Sequence, residues 1–324
     1  MNARFRRIAR ATNECMIHGV NSQASASSMV DSNHTANAGQ YARISGVREL
    51  VDKYDAFLVD SYGVLHDGES LYPGSAECLE NLRSMRRAVV ILTNTPRRAR
   101  TVAREIAKVG IEPRHYDILV SAGEVTFRML TTRREELGLA VDDAIYYVGP
   151  PRSRELLDGL SLAEATAIEG ASVMLIAGLF PGMEEVGDYD QLLSDARARN
   201  LPAICANPDL VAIRSGTRGG CAGTVAAEYQ NLGGSVRYFG KPFPEIYEMA
   251  LDALPGTDRS RVLCVGDALH TDVGGARNVG LDCLFVSSGI HQDEIGASMH
   301  HDPVASLFHL NRIFPTASID RFQW

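Results

Sequence analysis

Phe57-Leu58-Val59-Asp60-Ser61-Tyr62-Gly63-Val64-Leu65 is the stretch from which the fold is read. Ala56 to Val59 is a short apolar run without polar alternation, the pattern of a strand buried on both faces. The run stops at Asp60, and Gly63 then releases the chain into a turn. In an α/β sheet, a carboxylate at the carboxyl end of a buried strand lies where ligands bind. A solitary Asp would more simply close the strand or cap a turn. Asp60 is not solitary.

Working outward, apolar strands alternate with helices. Ser45 to Tyr54 reads as a short helix before the first strand. Ser75 to Arg86 is helical, with Ala76, Leu79, Leu82 and Met85 on one stripe. Ala88-Val89-Val90-Ile91-Leu92 is a second buried strand, running into Thr93-Asn94. An amphipathic helix follows from Arg97 to Val109, then strand Ile118-Leu119-Val120 and a helix reaching about Leu137. A second set follows, with strands Ile145–Val148, Val173–Ile176 and Ala203–Cys205 and helices near Ser153–Leu157 and Tyr189–Arg199. Gly and Pro punctuate both of its ends, which reads as an insertion. The first pattern resumes with helix Thr224–Leu232, strand Val236–Phe239, Gly240-Lys241-Pro242 and a helix near Glu245–Leu254. Strand Val262–Val265 then ends in Gly266-Asp267, and a last strand, Cys283–Val286, leads to a polar tail. The class is α/β: a doubly wound parallel-sheet core with an inserted αβ domain. The expected division is 1–44 as an extension, 45–140 and 223–324 as the core, and 141–222 as the insertion.

The 324 residues, with 45% hydrophobic and 22% charged, suit a globular protein large enough for two folded parts. A net charge of −8 gives no general attraction for nucleic acid or anionic lipid, and no apolar run is long enough to span a bilayer. The six cysteines are scattered without a C-x-x-C pair, which fits free thiols in a reducing, cytoplasmic setting. Residues 1–44 are Arg-rich at the start, Ser-rich later and poor in acids. That composition reads as a disordered extension, with an organelle-targeting segment as the alternative.

Four strands thus end in polar residues: Asp60, Thr93-Asn94, Lys241 and Asp267. Parallel strands bring such ends to one edge. Carboxylates, one ammonium and a small hydroxyl or amide there suit a magnesium–phosphate centre, because Mg²⁺ favours one or two carboxylates with phosphate oxygens. A carboxylate in line with phosphorus can act as nucleophile.

Asp60-Ser61-Tyr62-Gly63-Val64, Thr93-Asn94, Gly240-Lys241-Pro242 and Gly266-Asp267-x-x-x-Thr271-Asp272, in that order, resemble the four motifs of the haloacid dehalogenase superfamily. The insertion between the second and third motifs, closed by Ala206-Asn207-Pro208-Asp209, is similar to the αβ cap of its class IIA branch. That branch holds sugar-phosphate, nitrophenyl-phosphate, phosphoglycolate and pyridoxal-phosphate phosphatases. The resemblance implies a Rossmann-like core, Mg²⁺ as cofactor and a small phosphorylated metabolite as substrate. It makes Asp60 the nucleophile and a metal ligand, the Tyr62 carbonyl, Asp267 and Asp272 further metal-site residues, and Lys241 the group orienting Asp60. Thr93, Asn94 and Gly63 go to the phosphate. Cap closure over the site and a homodimer through the cap are further expectations of the likeness.

One position departs from the pattern. Phosphatases of the superfamily carry a second Asp two residues after the nucleophile, as general acid and base. Here Tyr62 stands there, and its reference pKa of about 10 makes it a poor base near neutrality. The expectation is slow hydrolysis, or a preference for good leaving groups, with His66 and Asp67 close enough in sequence to be considered as substitutes. Asp60-Ser61-Tyr62-Gly63 is also similar to the first motif of metal-independent 2-haloacid dehalogenases, which gives an alternative hydrolase reading. A catalytically impaired phosphometabolite binder is another. Outside the motifs, His300-His301 reads as solvated tail, Gly219–Gly223 as hinge or anion cradle, and Arg97-Arg98-x-Arg100 as an exposed helix start.

Overall fold

The computed structural model describes residues 41–214 and 217–324, and the Arg/Ser-rich segment up to residue 40 lies outside them. The chain runs β1 (Ala42–Arg43), β2 (Ala56–Asp60), α1 (Ser75–Ser84), β3 (Ala88–Thr93), α2 (Ala99–Lys108), β4 (Ile118–Ser121) and α3 (Ala122–Thr132). Then come β5 (Ala144–Val148), β6 (Ala163–Glu164), β7 (Val173–Ile176), α4 (Asp190–Ala198), β8 (Ala203–Cys205), β9 (Val211–Arg214), β10 (Thr217–Gly220), α5 (Ala222–Asn231) and β11 (Val236–Tyr238). The last third holds α6 (Pro244–Asp252), β12 (Val262–Gly266), α7 (Gly274–Asn278), β13 (Asp282–Val286), α8 (Gln292–Gly296), α9 (Pro303–Asn311) and β14 (Ala317–Ile319).

Seven strands form one parallel sheet in the order β1-β14-β13-β12-β2-β3-β4, and five form a second parallel sheet in the order β11-β8-β7-β5-β6. β9 and β10 make a separate antiparallel hairpin. β2 lies inside the larger sheet because its side chains are apolar on both faces. Phe57 and Val59 join the apolar cluster on one side, and Ala56 and Leu58 the cluster on the other. That second cluster does not stop at the larger sheet. It continues through Ile145, Tyr147, Leu175 and Ile204 of the smaller sheet, so the two sheets share one apolar core.

Several expectations change. Between Ser45 and Tyr54 only Val47–Glu49 is helical, as one 3₁₀ turn, because Val47 and Val51 are anchored in the core by packing and not by a helical stripe. Residues 42–43 are not extension: they pair with Ala317–Ser318, and Tyr41 packs edge-on against Phe308. The polar tail folds too. β14 inserts between β1 and β13, and Phe322 is buried. The chain leaves the smaller sheet after Tyr238 and not at residue 223. Val236–Tyr238 pairs with Ala203–Cys205, and α5 buries Ala222 to Tyr229 with that sheet. Periodicity finds a strand but does not say which sheet takes it.

The C-terminal packing has a measurable consequence. Phe322→Ala removes a ring that is 1% exposed in the cluster containing Phe57 and Val59. We expect a loss of about 3–5 kcal/mol in denaturant unfolding. A loss below about 1 kcal/mol would mean that the tail does not complete the core.

Candidate functional site

β2, β3 and β12 are neighbours, so Asp60, Thr93 and Asp267 leave the same edge of the larger sheet. Lys241 arrives differently from expectation. It follows β11 of the smaller sheet, and Gly240 (φ +124°) with the cis Lys241–Pro242 bond turns the chain into the site. Lys241 Nζ donates to Asp60 Oδ1 at 2.5 Å and to Asp272 Oδ1 at 2.7 Å. Asp272 Oδ2 accepts from the Ala268 amide at 3.0 Å, and Asp267 Oδ2 from the Ile290 amide at 2.6 Å. One carboxylate oxygen from each of Asp60, Asp267 and Asp272 lies within 4.8 Å of the other two. Two glycines allow this density: a Cβ on Gly63 or on Gly289 would lie 2.1 Å from Asp267 Oδ2.

Three carboxylates against one ammonium leave two negative charges in a buried space. Burial raises the Asp60 carboxyl well above its ordinary value, with Lys241 opposing and Asp272 and Asp267 adding to the rise. Burial and the charge of Asp272 push Asp267 up to about 7. Burial works against the Lys241 ammonium, yet Asp272 and Asp60 together raise its pKa. Both Asp272 oxygens are engaged, and one each of Asp60 and Asp267. Asp60 Oδ2 and Asp267 Oδ1 have no hydrogen-bond partner among the described residues. Two carboxylate oxygens in a pocket two charges too negative fit a divalent cation with oxygen ligands. Asp272 is placed to hold Lys241 more than to bind the ion directly.

Not every expected site residue does what its motif implied. Thr93 is buried at the edge, and among the described residues its Oγ1 makes only a long contact, 3.4 Å, with the Thr95 amide. The Gly63 amide is spent on the His66 carbonyl at 3.0 Å, so Gly63 serves close packing under Asp267 instead of the phosphate. Asn94 uses its side chain inside the protein. Oδ1 accepts from the Lys241 amide at 2.7 Å, while Nδ2 donates to Lys241 O at 3.0 Å and to Asp209 Oδ1 at 2.8 Å. Tyr62 lies edge-on to His66 with centroids 5.5 Å apart, its ring alongside Gly68.

The two substitutes considered for the missing acid are both committed elsewhere. His66 Nδ1 accepts from the Gly68 amide, which places the proton on Nε2 facing Ser61 Oγ at 2.9 Å. Burial lowers its pKa, so the ring is neutral near pH 7. The exposed Asp67 closes a turn by accepting from the Glu69 and Ser70 amides. The arginines after Thr93-Asn94 are also paired, Arg97 with Glu105 and Glu155, and Arg98 with Glu124 and over the Phe127 ring. Gly219–Gly223 forms the end of β10 and the start of α5, and a Cβ on Gly223 would lie 2.3 Å from Pro208 O. His300-His301 is exposed between α8 and α9. Sequence reasoning missed Gly289 and the Ile290 amide, which carry no side-chain signal. It noticed Asp209 but gave it no role.

The raised Asp267 carboxyl has a pH signature. Its pKa rises from 3.8 to about 7, so the folded protein holds a proton that the unfolded chain has lost between about pH 4 and 7. Cation-free stability therefore falls as pH rises through that window, and Asp267→Asn should flatten the fall. A divalent cation displaces this proton, so its stabilising shift in Tm should be larger at pH 7.5 than at 5.5. A shift independent of pH would contradict the assignment.

The motifs and their geometry agree with wider comparisons. Residues 57–163 match the family model described as haloacid dehalogenase-like hydrolase, and residues 238–311 the one described as HAD-hydrolase-like. Human chronophin is 28% identical over 269 residues, covering 78% of this chain and 87% of the relative. 4-Nitrophenylphosphatase of Schizosaccharomyces pombe is 27% identical over 272 residues, covering 76% and 88%. A haloacid dehalogenase-like hydrolase from Brucella suis 1330 superposes with a TM-score of 0.75 at 32% identity, covering 86% of this chain and 99% of that one. With a relative of that identity matched along almost its full length, the chain belongs to the haloacid dehalogenase superfamily of hydrolases, in the phosphatase-type class IIA branch.

Proposed function

We propose that the protein is a Mg²⁺-dependent phosphatase of small phosphorylated metabolites, working through an aspartyl phosphate on Asp60. The observation that carries this reading is the Asp60–Lys241–Asp272 bridge with Asp267 beside it. That cluster favours phosphoryl chemistry over the metal-independent attack on carbon considered above, which would not need so many gathered carboxylates. A 4-nitrophenylphosphatase and acid sugar phosphatases stand among the relatives, consistent with this class of substrate.

Lys241 orients the Asp60 carboxylate by donating to Oδ1, and an oxygen of that carboxylate attacks phosphorus. The bond from phosphorus to the leaving oxygen breaks as the Asp60–phosphorus bond forms. Water then attacks the same phosphorus, restoring the carboxylate and releasing inorganic phosphate. Asp60, Asp267 and the Tyr62 carbonyl would hold Mg²⁺. When bound, Mg²⁺ offsets the carboxylate charge and that of the phosphate. Thr93 is placed to donate its hydroxyl to a phosphate oxygen, and Lys241 stabilises charge gathered in the transition state.

The leaving oxygen must receive a proton or leave as an anion. Tyr62 is a weak acid, and His66 and Asp67 are occupied elsewhere. The reaction therefore favours stable leaving anions, such as nitrophenolate or a carboxylate from an acyl phosphate, over alkoxides. A phosphometabolite panel with and without Mg²⁺, beside Asp60→Asn, tests the reading; turnover that survives in the Asn variant or without cation refutes it. In the same assay Tyr62→Asp should raise turnover of alkyl phosphates by about 10²-fold, with little gain on nitrophenyl phosphate. Equal gains on both substrates would refute the missing-acid explanation.

A further inference from the structure

Asn94 stands directly after the site residue Thr93, yet its side chain has nothing left to offer a substrate. A primary amide has two N–H donors, and both are used, on Lys241 O and Asp209 Oδ1. Its oxygen takes the Lys241 amide. Asn94 is 4% exposed and Lys241 3%, so breaking these bonds would strand buried polar groups. Three pieces of chain distant in sequence thus meet on one amide: the end of β3, the loop after β8, and the return from β11. Their fit is close. A Cβ on Gly240 would lie 2.7 Å from both Asn94 Oδ1 and Pro208 Cδ. Asn207 Oδ1 also accepts from the Asp209 amide at 2.9 Å, which fixes the turn that presents Asp209.

We propose that Asn94 is a positioning residue that clasps the smaller sheet's Asp209 to the Lys241 backbone, so that the seating of that sheet sets where the Lys241 ammonium meets Asp60. The smaller domain then acts on the reaction through this clasp. The inference rests on the phosphatase reading for its kinetic consequences, but the clasp itself is testable without turnover.

Asn94→Asp keeps the size and the acceptor for the Lys241 amide, but turns an oxygen toward Lys241 O and Asp209. We expect kcat for nitrophenyl phosphate to fall about tenfold or more, with KM within about twofold, since a misplaced catalytic group costs rate and not ground-state affinity. In Asn94→Asp/Asp209→Asn the donor and acceptor exchange places, and a substantial part of kcat should return. A phosphate ligand at position 94 predicts the reverse: a KM raised about tenfold and no rescue from Asp209→Asn, and either result overturns the proposal. Hydrogen–deuterium exchange separates this from failure of the phosphatase reading. The segment carrying Asp209 should exchange faster in Asn94→Asp and slow again in the double variant, whether or not any phosphate ester is hydrolysed. Unchanged exchange there in a folded Asn94→Asp protein would equally overturn the clasp.

Discussion

Everything at the catalytic edge follows from placing one ammonium among three carboxylates where little water reaches. Lys241 can satisfy two of them, and the geometry gives it Asp60 and Asp272. Asp267 is left to a backbone amide and to glycines that permit its approach. Such an arrangement is short of positive charge, a demand that a divalent cation would meet. The surrounding fold can be understood as the scaffold that keeps this imbalance from relaxing.

How much of this the sequence disclosed depends on where each residue sits relative to an apolar run. Asp60, Thr93 and Asp267 end runs such as Ala56–Val59 and Val262–Gly266, so their common edge is legible from pattern alone. Lys241 was legible as a site residue but not as a guest from the other sheet, because a three-residue strand such as Val236–Tyr238 pairs by tertiary opportunity. The clasp between Asn94 and Asp209 spans 115 residues, and no local spacing encodes it. The Ile290 amide could not have been found at all, since every residue but proline has one. The C-terminal residues misled for another reason: Ala317–Ile319 is short and only mildly apolar, and its burial comes from neighbours on both sides.

The relation between the two sheets also differs from a loosely hinged lid. Leu58 and Val90 of the larger sheet share a cluster with Tyr147 and Leu175 of the smaller one. Separating the sheets would wet this surface at about 25 cal/mol per Å². Glu155, beside the smaller sheet, adds a polar tie by accepting from Thr101 Oγ1 at 2.5 Å, with Arg97 Nε at 3.4 Å. Access to the carboxylates is therefore better served by loop movement than by rotation of a whole domain.

The pairing of β1 with β14 has a consequence for biosynthesis. β1 finds its neighbour in β14, far downstream in sequence, and central β2 must await β12, some two hundred residues later. A nascent chain therefore carries an unfinished sheet with open edges until β14 has been made. Termination before β14 would leave β13 with a bare flank, the kind of edge that seeks strands in other molecules.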